Sequence, residues 1–181
     1  MSRVPALPGL PCESCWDPPR SPPCPSPCPR PPLVLALGND VLSDDGVALR
    51  VARQLGAQGP RGVDIRESSE AGLALLDLLA GRERVVVIDA ILTGRLAPGT
   101  ILDLKLADLR PIASPSPHYA GLPEILGLAA RLDLGVPRRL RILAMEVADA
   151  TTLGSRLTPA VEAALPALLA RVCTALDELT E

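Results

Sequence analysis

The sequence predicts an α/β fold in which five strands alternate with helices around an aliphatic core. The stretch 33–47 begins with the apolar run Leu33–Leu37, turns at Gly38-Asn39 and continues as an amphipathic helix. Residues 85–88 (Val-Val-Val-Ile) form a β-branched run of the kind that is buried on both faces of a sheet. Strands that alternate with helices along the chain are typical of a largely parallel sheet.

The first helix carries two acidic residues at its start. Ser43 is its predicted N-cap, and Asp44 and Asp45 follow in the first turn. The apolar residues that share one face are Val47, Ala48, Val51, Ala52 and Leu55. Because sites in open α/β sheets form at the carboxyl ends of strands, the two acids either belong to a site or complement the helix dipole.

The remaining elements follow from periodicity and from helix-end signals. Further strands are predicted over residues 63–67, 84–88, 100–104 and 139–145. One further helix is predicted to begin at residues 68–70, with Leu73, Leu76 and Leu79 facing inward, and another to run through Leu122 to Leu132. The last helix is predicted to begin at Thr158-Pro159, and Pro166 either kinks it or marks its true start. Only about ten residues join the strands at 84–88 and 100–104, so an antiparallel edge strand is expected there.

Composition divides the chain at residue 32. Residues 1–32 hold twelve of the 21 prolines and four of the five cysteines, which predicts a disordered Pro/Cys-rich extension. Residues 33–181 form the predicted domain and suffice for a sizeable core. The pairs Cys12-x2-Cys15 and Cys24-x3-Cys28 leave a zinc site open as the less favoured interpretation. A natural start near Val34, at a codon other than Met, is a third interpretation.

Charge and hydropathy exclude several classes of protein. The formal net charge is -3, which argues against general binding of nucleic acid. No uninterrupted apolar run reaches the roughly 20 residues of a membrane span, and the first residues lack the apolar core of a signal peptide. We therefore expect a cytoplasmic monomer with no membrane partner. Cys173 on the last helix is predicted to be a reduced, buried core thiol rather than a nucleophile.

Three polar residues stand where the predicted topology forms a site. Asp45 follows the first strand, Asp89 ends the β-branched strand, and His118, the single histidine, precedes a helix. Each has a simpler interpretation, and a lone histidine is more often a cap or a surface residue. Together, two carboxylates and an imidazole suit a three-ligand metal site with open positions, or an acid/base set that acts on water.

Four motifs in register resemble the hydrogenase maturation protease family. They are Gly38-Asn39-x4-Asp44-Asp45-Gly46, Val87-Ile88-Asp89-Ala90, Pro98-Gly99-Thr100 and Ser116-Pro117-His118-x2-Gly121-Leu122. The resemblance implies a three-layer αβα sandwich of the phosphorylase/hydrolase-like kind, whose five-stranded mixed sheet has one antiparallel strand. It also implies that Asp45, Asp89 and His118 are the catalytic residues and hold a metal.

The implied activity is endoproteolysis. The resemblance implies removal of the C-terminal extension of a nickel–iron hydrogenase large-subunit precursor after nickel insertion, with the nickel of that substrate as the metal, bound transiently. Many members of the family carry Asp-Gly-Gly-Thr-x-Gly after the second strand, whereas residues 67–72 here are Glu-Ser-Ser-Glu-Ala-Gly. This departure leaves the three ligands intact. In this stretch the sequence resembles that of family members that serve soluble, cytoplasmic bidirectional hydrogenases.

Other functions fit parts of the pattern. A nickel checkpoint that binds the same precursor without cutting it would use the same ligands. A peptidyl-tRNA hydrolase also opens with a strand and Gly-Asn, but the acidic domain and the absence of that family's further asparagine and histidine pattern argue against it. Nucleotide binding is weakly supported, because no G-x-G-x-x-G follows the first strand.

Overall fold

A five-stranded mixed sheet forms the centre of the domain. The computed structural model describes residues 30–105 and 122–180. The strands are β1 (Leu33–Leu37), β2 (Asp64–Ser68), β3 (Arg84–Ile91), β4 (Ile101–Leu104) and β5 (Arg139–Glu146). The helices are α1 (Val47–Ala57), α2 (Leu75–Leu79), α3 (Leu122–Arg131) and α4 (Pro159–Thr180), and two short 3-10 helices cover Ser43–Gly46 and Gly72–Ala74.

The strand order is β2-β1-β3-β5-β4, so the β-branched strand β3 is central. β1 pairs in parallel with β2 and β3, and β3 pairs in parallel with β5. β4 is an edge strand that pairs antiparallel with β5, with Ile101 opposite Met145. The predicted mixed sheet, its central strand and its antiparallel edge are therefore confirmed.

Helices cover both faces of the sheet, which gives the three-layer αβα arrangement. α1 and α4 pack on one face against residues such as Ala36 and Ile88. α2 and α3 pack on the other face against residues such as Leu35 and Val87. Side chains alternate between the two faces along each strand, and both faces are apolar, as a doubly covered sheet requires.

The last helix, α4, is the longest described element. Its 22 residues are long and apolar enough to cross a membrane by length and composition alone. Its buried side includes Val161, Leu165, Leu168 and Val172, which pack in the same core cluster as residues of α1 and of the sheet. This is the ordinary place of a core helix, so its composition is weak evidence for a membrane span. Pro166 lies inside the helix and does not mark its start.

Several predicted boundaries are wrong by a few residues. β3 continues through Asp89 to Ile91 because β5 pairs with it as far as Ile91 opposite Glu146. Ser43 is not a helix N-cap, because it adopts a positive φ of 35° and its hydroxyl donates to the Arg156 carbonyl oxygen at 3.2 Å.

The second helix begins later than predicted, because β2 extends to Ser68. Leu75 and Leu79 are its buried residues, whereas Leu73 is 64% exposed. Leu132, which was expected to face inward, lies beyond the end of α3 and is 58% exposed. Cys173 is only partly buried, although it packs against the core.

Some predictions fall on residues outside the described part of the chain. These are residues 1–29 of the Pro/Cys-rich extension predicted over residues 1–32, with its four cysteines, the loop at residues 111–117, and His118.

Candidate active site

The turn after β1 brings Asp45 back over the end of its own strand. Gly38 has a φ of +151°, and a Cβ built on it would lie 2.1 Å from the main-chain oxygen of Asp45. Only glycine fits this close approach. Backbone hydrogen bonds from Leu42 to the Asn39 oxygen (3.1 Å) and from Asp45 to the Leu42 oxygen (2.8 Å) close the turn. The Gly-Asn pair therefore fixes where the acid lies.

Asp45 lies in the 3-10 helix after β1, and 8% of the residue is exposed. The Asn39 main-chain N–H donates to its Oδ2 at 2.8 Å. A backbone donor of this kind fixes the orientation of the carboxylate. Asp45 is therefore positioned by the turn and still borders the surface.

Asp89 lies inside the central strand and is fully buried. Its Oδ1 accepts a hydrogen bond from the main-chain N–H of Ala90 at 2.8 Å. The 3-10 helix Ser43–Gly46, which carries Asp45, packs against β3 with Cα atoms within 8 Å. The structure thus brings together the two elements that carry Asp45 and Asp89, as the topology predicted.

Asp44 has a structural role instead. It is fully buried, and its carboxylate accepts hydrogen bonds from the main-chain N–H groups of Ala148 (3.1 Å), Asp149 (3.1 Å) and Thr158 (2.6 Å). The Thr158 hydroxyl donates a fourth at 2.9 Å. Asp44 therefore ties the loop between β5 and α4 to the turn after β1. Because Asp44 and Asp45 are adjacent aspartates, the sequence alone did not indicate that Asp44 has a structural role and Asp45 does not.

Glu146 is a further buried acid, which sequence reasoning missed because the predicted strand over residues 139–145 ended one residue before it. It ends β5, is 1% exposed, and accepts hydrogen bonds from the main-chain N–H groups of Thr93 and Gly94, both at 2.8 Å. The Thr93 hydroxyl adds a third at 2.7 Å. Glu146 thus fastens the loop between β3 and β4. The signal that singled out Asp89, a carboxylate at the end of an apolar strand, was also present here.

An open cavity of about 260 Å³ adjoins the turn at the carboxyl ends of β1 and β2, lined in part by Asn39, Arg53 and Glu67. The Arg53 guanidinium donates to the Glu67 carboxylate at 2.7 Å and to Asp40 at 3.0 Å. These hydrogen bonds, first that of Glu67, raise the pKa of Arg53. Residues 67–72, where the sequence departs from the family motif, therefore begin with Glu67, an ion-paired residue that lines this cavity.

The carboxylates fit part of a metal site. Asp45 and Asp89 offer hard oxygen donors, which suit divalent cations. Within residues 30–105 and 122–180, no group of three His, Cys, Asp or Glu side chains is arranged to hold a metal ion. A third donor would have to come from outside the described residues, such as His118, or from a bound partner.

Comparisons with known proteins match this arrangement. A sequence profile described as hydrogenase maturation protease matches residues 49–175. The hydrogenase 2 maturation protease of Escherichia coli strain K12 is 31% identical over 150 residues, which are 81% of this chain and 90% of that protein. The chain belongs to the hydrogenase maturation protease family.

Solved structures of this family share the fold. The hydrogenase maturating endopeptidase HybD from E. coli has a TM-score of 0.69 at 32% identity, covering 82% of this chain and 93% of that one. A nickel–iron hydrogenase maturation protease HybD from Thermococcus kodakarensis has a TM-score of 0.62 at 26% identity, covering 80% and 97%. The chain is thus an endopeptidase of this family, and the predicted fold and enzyme class are confirmed.

Proposed function

We propose that this chain removes the C-terminal extension from the large-subunit precursor of a nickel–iron hydrogenase after nickel insertion. Asp45, Asp89 and His118 would be its catalytic, metal-binding residues. The observation that carries the proposal is the packing of the 3-10 helix that bears Asp45 against the central strand that bears Asp89, in a member of this protease family.

The positions of the two carboxylates support a site that borrows its metal. Asp45 keeps 8% of its surface exposed, whereas Asp89 is fully buried. Two protein carboxylates and one imidazole leave coordination positions open, so the protein alone retains a metal weakly. A nickel ion that is already held by the precursor can fill such a site, and the protease then acts only on a loaded substrate.

The support for His118 comes from its place in the chain. It lies four residues before Leu122, the first residue of α3. Leu122 packs on the sheet face that also carries Val87 and Ile91 of β3. Asp89 lies between these two residues, and strand alternation gives it the same face. Only three residues therefore separate His118 from a residue that packs on the same sheet face as Asp89.

Each group has a distinct chemical task in this proposal. Nickel supplied by the precursor would polarise the scissile carbonyl or lower the pKa of a water molecule. Asp45 and Asp89 bind and orient the loaded site through carboxylate oxygens, and His118 completes the set through one ring nitrogen. The hydrogen bond from Asn39 holds Asp45 in place before the substrate arrives.

A mobility-shift assay of the precursor in extract tests the function. Wild-type protein should shorten the precursor only when nickel is supplied, and Asp45→Asn, Asp89→Asn and His118→Ala should leave it uncut. Asp77→Asn is the matched control, because it removes an exposed carboxylate on α2 and should cleave like wild type. Circular dichroism should show that all four variants are folded.

The same variants separate the alternatives. Titration calorimetry with nickel or cadmium should show weak binding by wild type that the three site substitutions abolish together. Cleavage of a nickel-free precursor would refute the metal-directed mechanism. If wild type binds the loaded precursor but never cuts it, the protein is the non-catalytic nickel checkpoint.

A further inference from the structure

Exposed apolar side chains gather around the carboxyl end of the sheet. In the described part of the chain, eight large hydrophobic residues are exposed. Five of them follow the carboxyl ends of strands: Val41, Leu73, Leu92, Leu96 and Leu153. The other three, Leu128, Leu132 and Leu134, belong to α3 and the turn after it. Five of the eight therefore lie in segments that leave the carboxyl ends of strands, as the turn that carries Asp45 does.

Two of these residues lie on adjoining backbone segments beside the site. Leu42 forms a β-bridge with Leu153, and the Gly154 N–H donates to the Val41 oxygen at 3.0 Å. Val41 is 55% exposed and Leu153 is 80% exposed. Asp45 lies in the same turn, since its N–H donates to the Leu42 oxygen. We call Val41 and Leu153 the apolar rim pair.

The rim pair is held in place by buried polar contacts. The Ser43 N–H donates to the Gly154 oxygen at 2.6 Å, which closes the bridge on its other side. Asp44, one residue further on, is fully buried and bonded to both ends of the loop that carries Leu153. Exposed apolar side chains on such a fixed support lose little freedom on binding, which is the property of an interface anchor.

We propose that Val41 and Leu153 determine recognition of the precursor by contacting apolar side chains of its polypeptide next to the cleavage point. This inference rests on the proposed function, because it takes the hydrogenase precursor as the partner. At 80% exposure Leu153 contributes little to the core, and a partner that covers it would remove apolar surface from water. The bond between Asp45 and Leu42 makes the rim pair continuous with the proposed ligand set.

Steady-state cleavage of the nickel-loaded precursor tests this role. Leu153→Ser should raise KM about fivefold or more with kcat within about twofold, because the contact is made equally in the ground state and the transition state. Val41→Ser combined with Leu153→Ser should raise KM further. Leu153→Met, which keeps an apolar side chain, should restore the wild-type KM.

Leu132→Ser is the matched control. It removes an equally large and 58% exposed leucine beyond α3, so it should leave KM unchanged. An unchanged KM for Leu153→Ser, an equal rise for Leu132→Ser, or a fall in kcat alone would each overturn the inference.

Binding separates this inference from the proposed function. Interferometry on the intact loaded precursor gives a Kd even if wild type leaves it uncut. A Kd that rises with Leu153→Ser but not with Leu132→Ser supports the rim pair, whether or not cleavage occurs. A wild-type protein that neither binds nor cleaves the precursor would refute both the inference and the proposed function.

Discussion

Replacing Asp44 by asparagine should destabilise the domain strongly, although the residue is polar and next to a proposed ligand. Its carboxylate is fully buried and accepts three main-chain N–H groups and one hydroxyl. A hydrogen bond to a charged group contributes about 1.5–3 kcal/mol, and a buried donor left unpaired costs about 1–3 kcal/mol. Asparagine keeps one acceptor but turns an NH2 group toward donors, so we expect a loss of about 3–5 kcal/mol in the free energy of unfolding.

Urea unfolding followed by circular dichroism measures this loss. Asp45→Asn is the matched control, because the neighbouring acid has 8% of its surface exposed and borders the rim. We expect that variant to lose less than about 1.5 kcal/mol, within the ordinary range of a single substitution. An Asp44→Asn variant that loses less than about 1 kcal/mol would contradict the assignment of Asp44 to the framework.

Three further predictions concern the core, acid stability and the extension. Val87→Ala should cost about 1–3 kcal/mol in urea unfolding, because it leaves a cavity in the central strand, and a loss of a few tenths would contradict its burial. The hydrogen bond from Arg141 lowers the pKa of Asp103 below its ordinary value, and the hydrogen bond from Arg171 lowers it further. Burial of the carboxylate raises the pKa, but by less than the two arginines lower it. The stability this gives is present above pH of about 3.9 and is lost as pH falls through the lower folded-state pKa, so Asp103→Asn should flatten the acid side of a Tm-against-pH curve. A chain that begins near Pro32 should keep its Tm, and stoichiometric zinc in the full-length protein would argue otherwise.

The sequence predicted the sheet well because its signals are local and strong. The apolar run of β1 and the β-branched run of β3 can be covered only inside a sheet with helices on both faces. Boundaries were less predictable, because pairing partners set them. β3 extends past Asp89 because β5 offers partners as far as Glu146, and no residue of β3 itself encodes that length.

The candidate site was predicted only in part. Topology placed Asp45 and Asp89 at one region of the sheet, and the packing of their elements agrees. The roles of Asp44 and Glu146 depend on donors that lie about a hundred and about fifty residues away in sequence. Local patterns do not contain such long-range contacts. His118 lies outside the described residues, so its part in the site stays a prediction.

The contrast between Asp44 and Asp45 determines how activity losses at this turn should be interpreted. Both residues are acids in one 3-10 helix, yet Asp44 bonds to the loop before α4 and Asp45 bonds to its own turn. Loss of Asp44 would free the loop that carries Leu153, and cleavage would fall without any change in the ligands themselves. Loss of Asp45 would remove a ligand and leave that loop in place. An Asp44 variant should therefore regain activity when a stabilising ligand or lower temperature restores the fold, whereas an Asp45 variant should stay inactive under the same conditions.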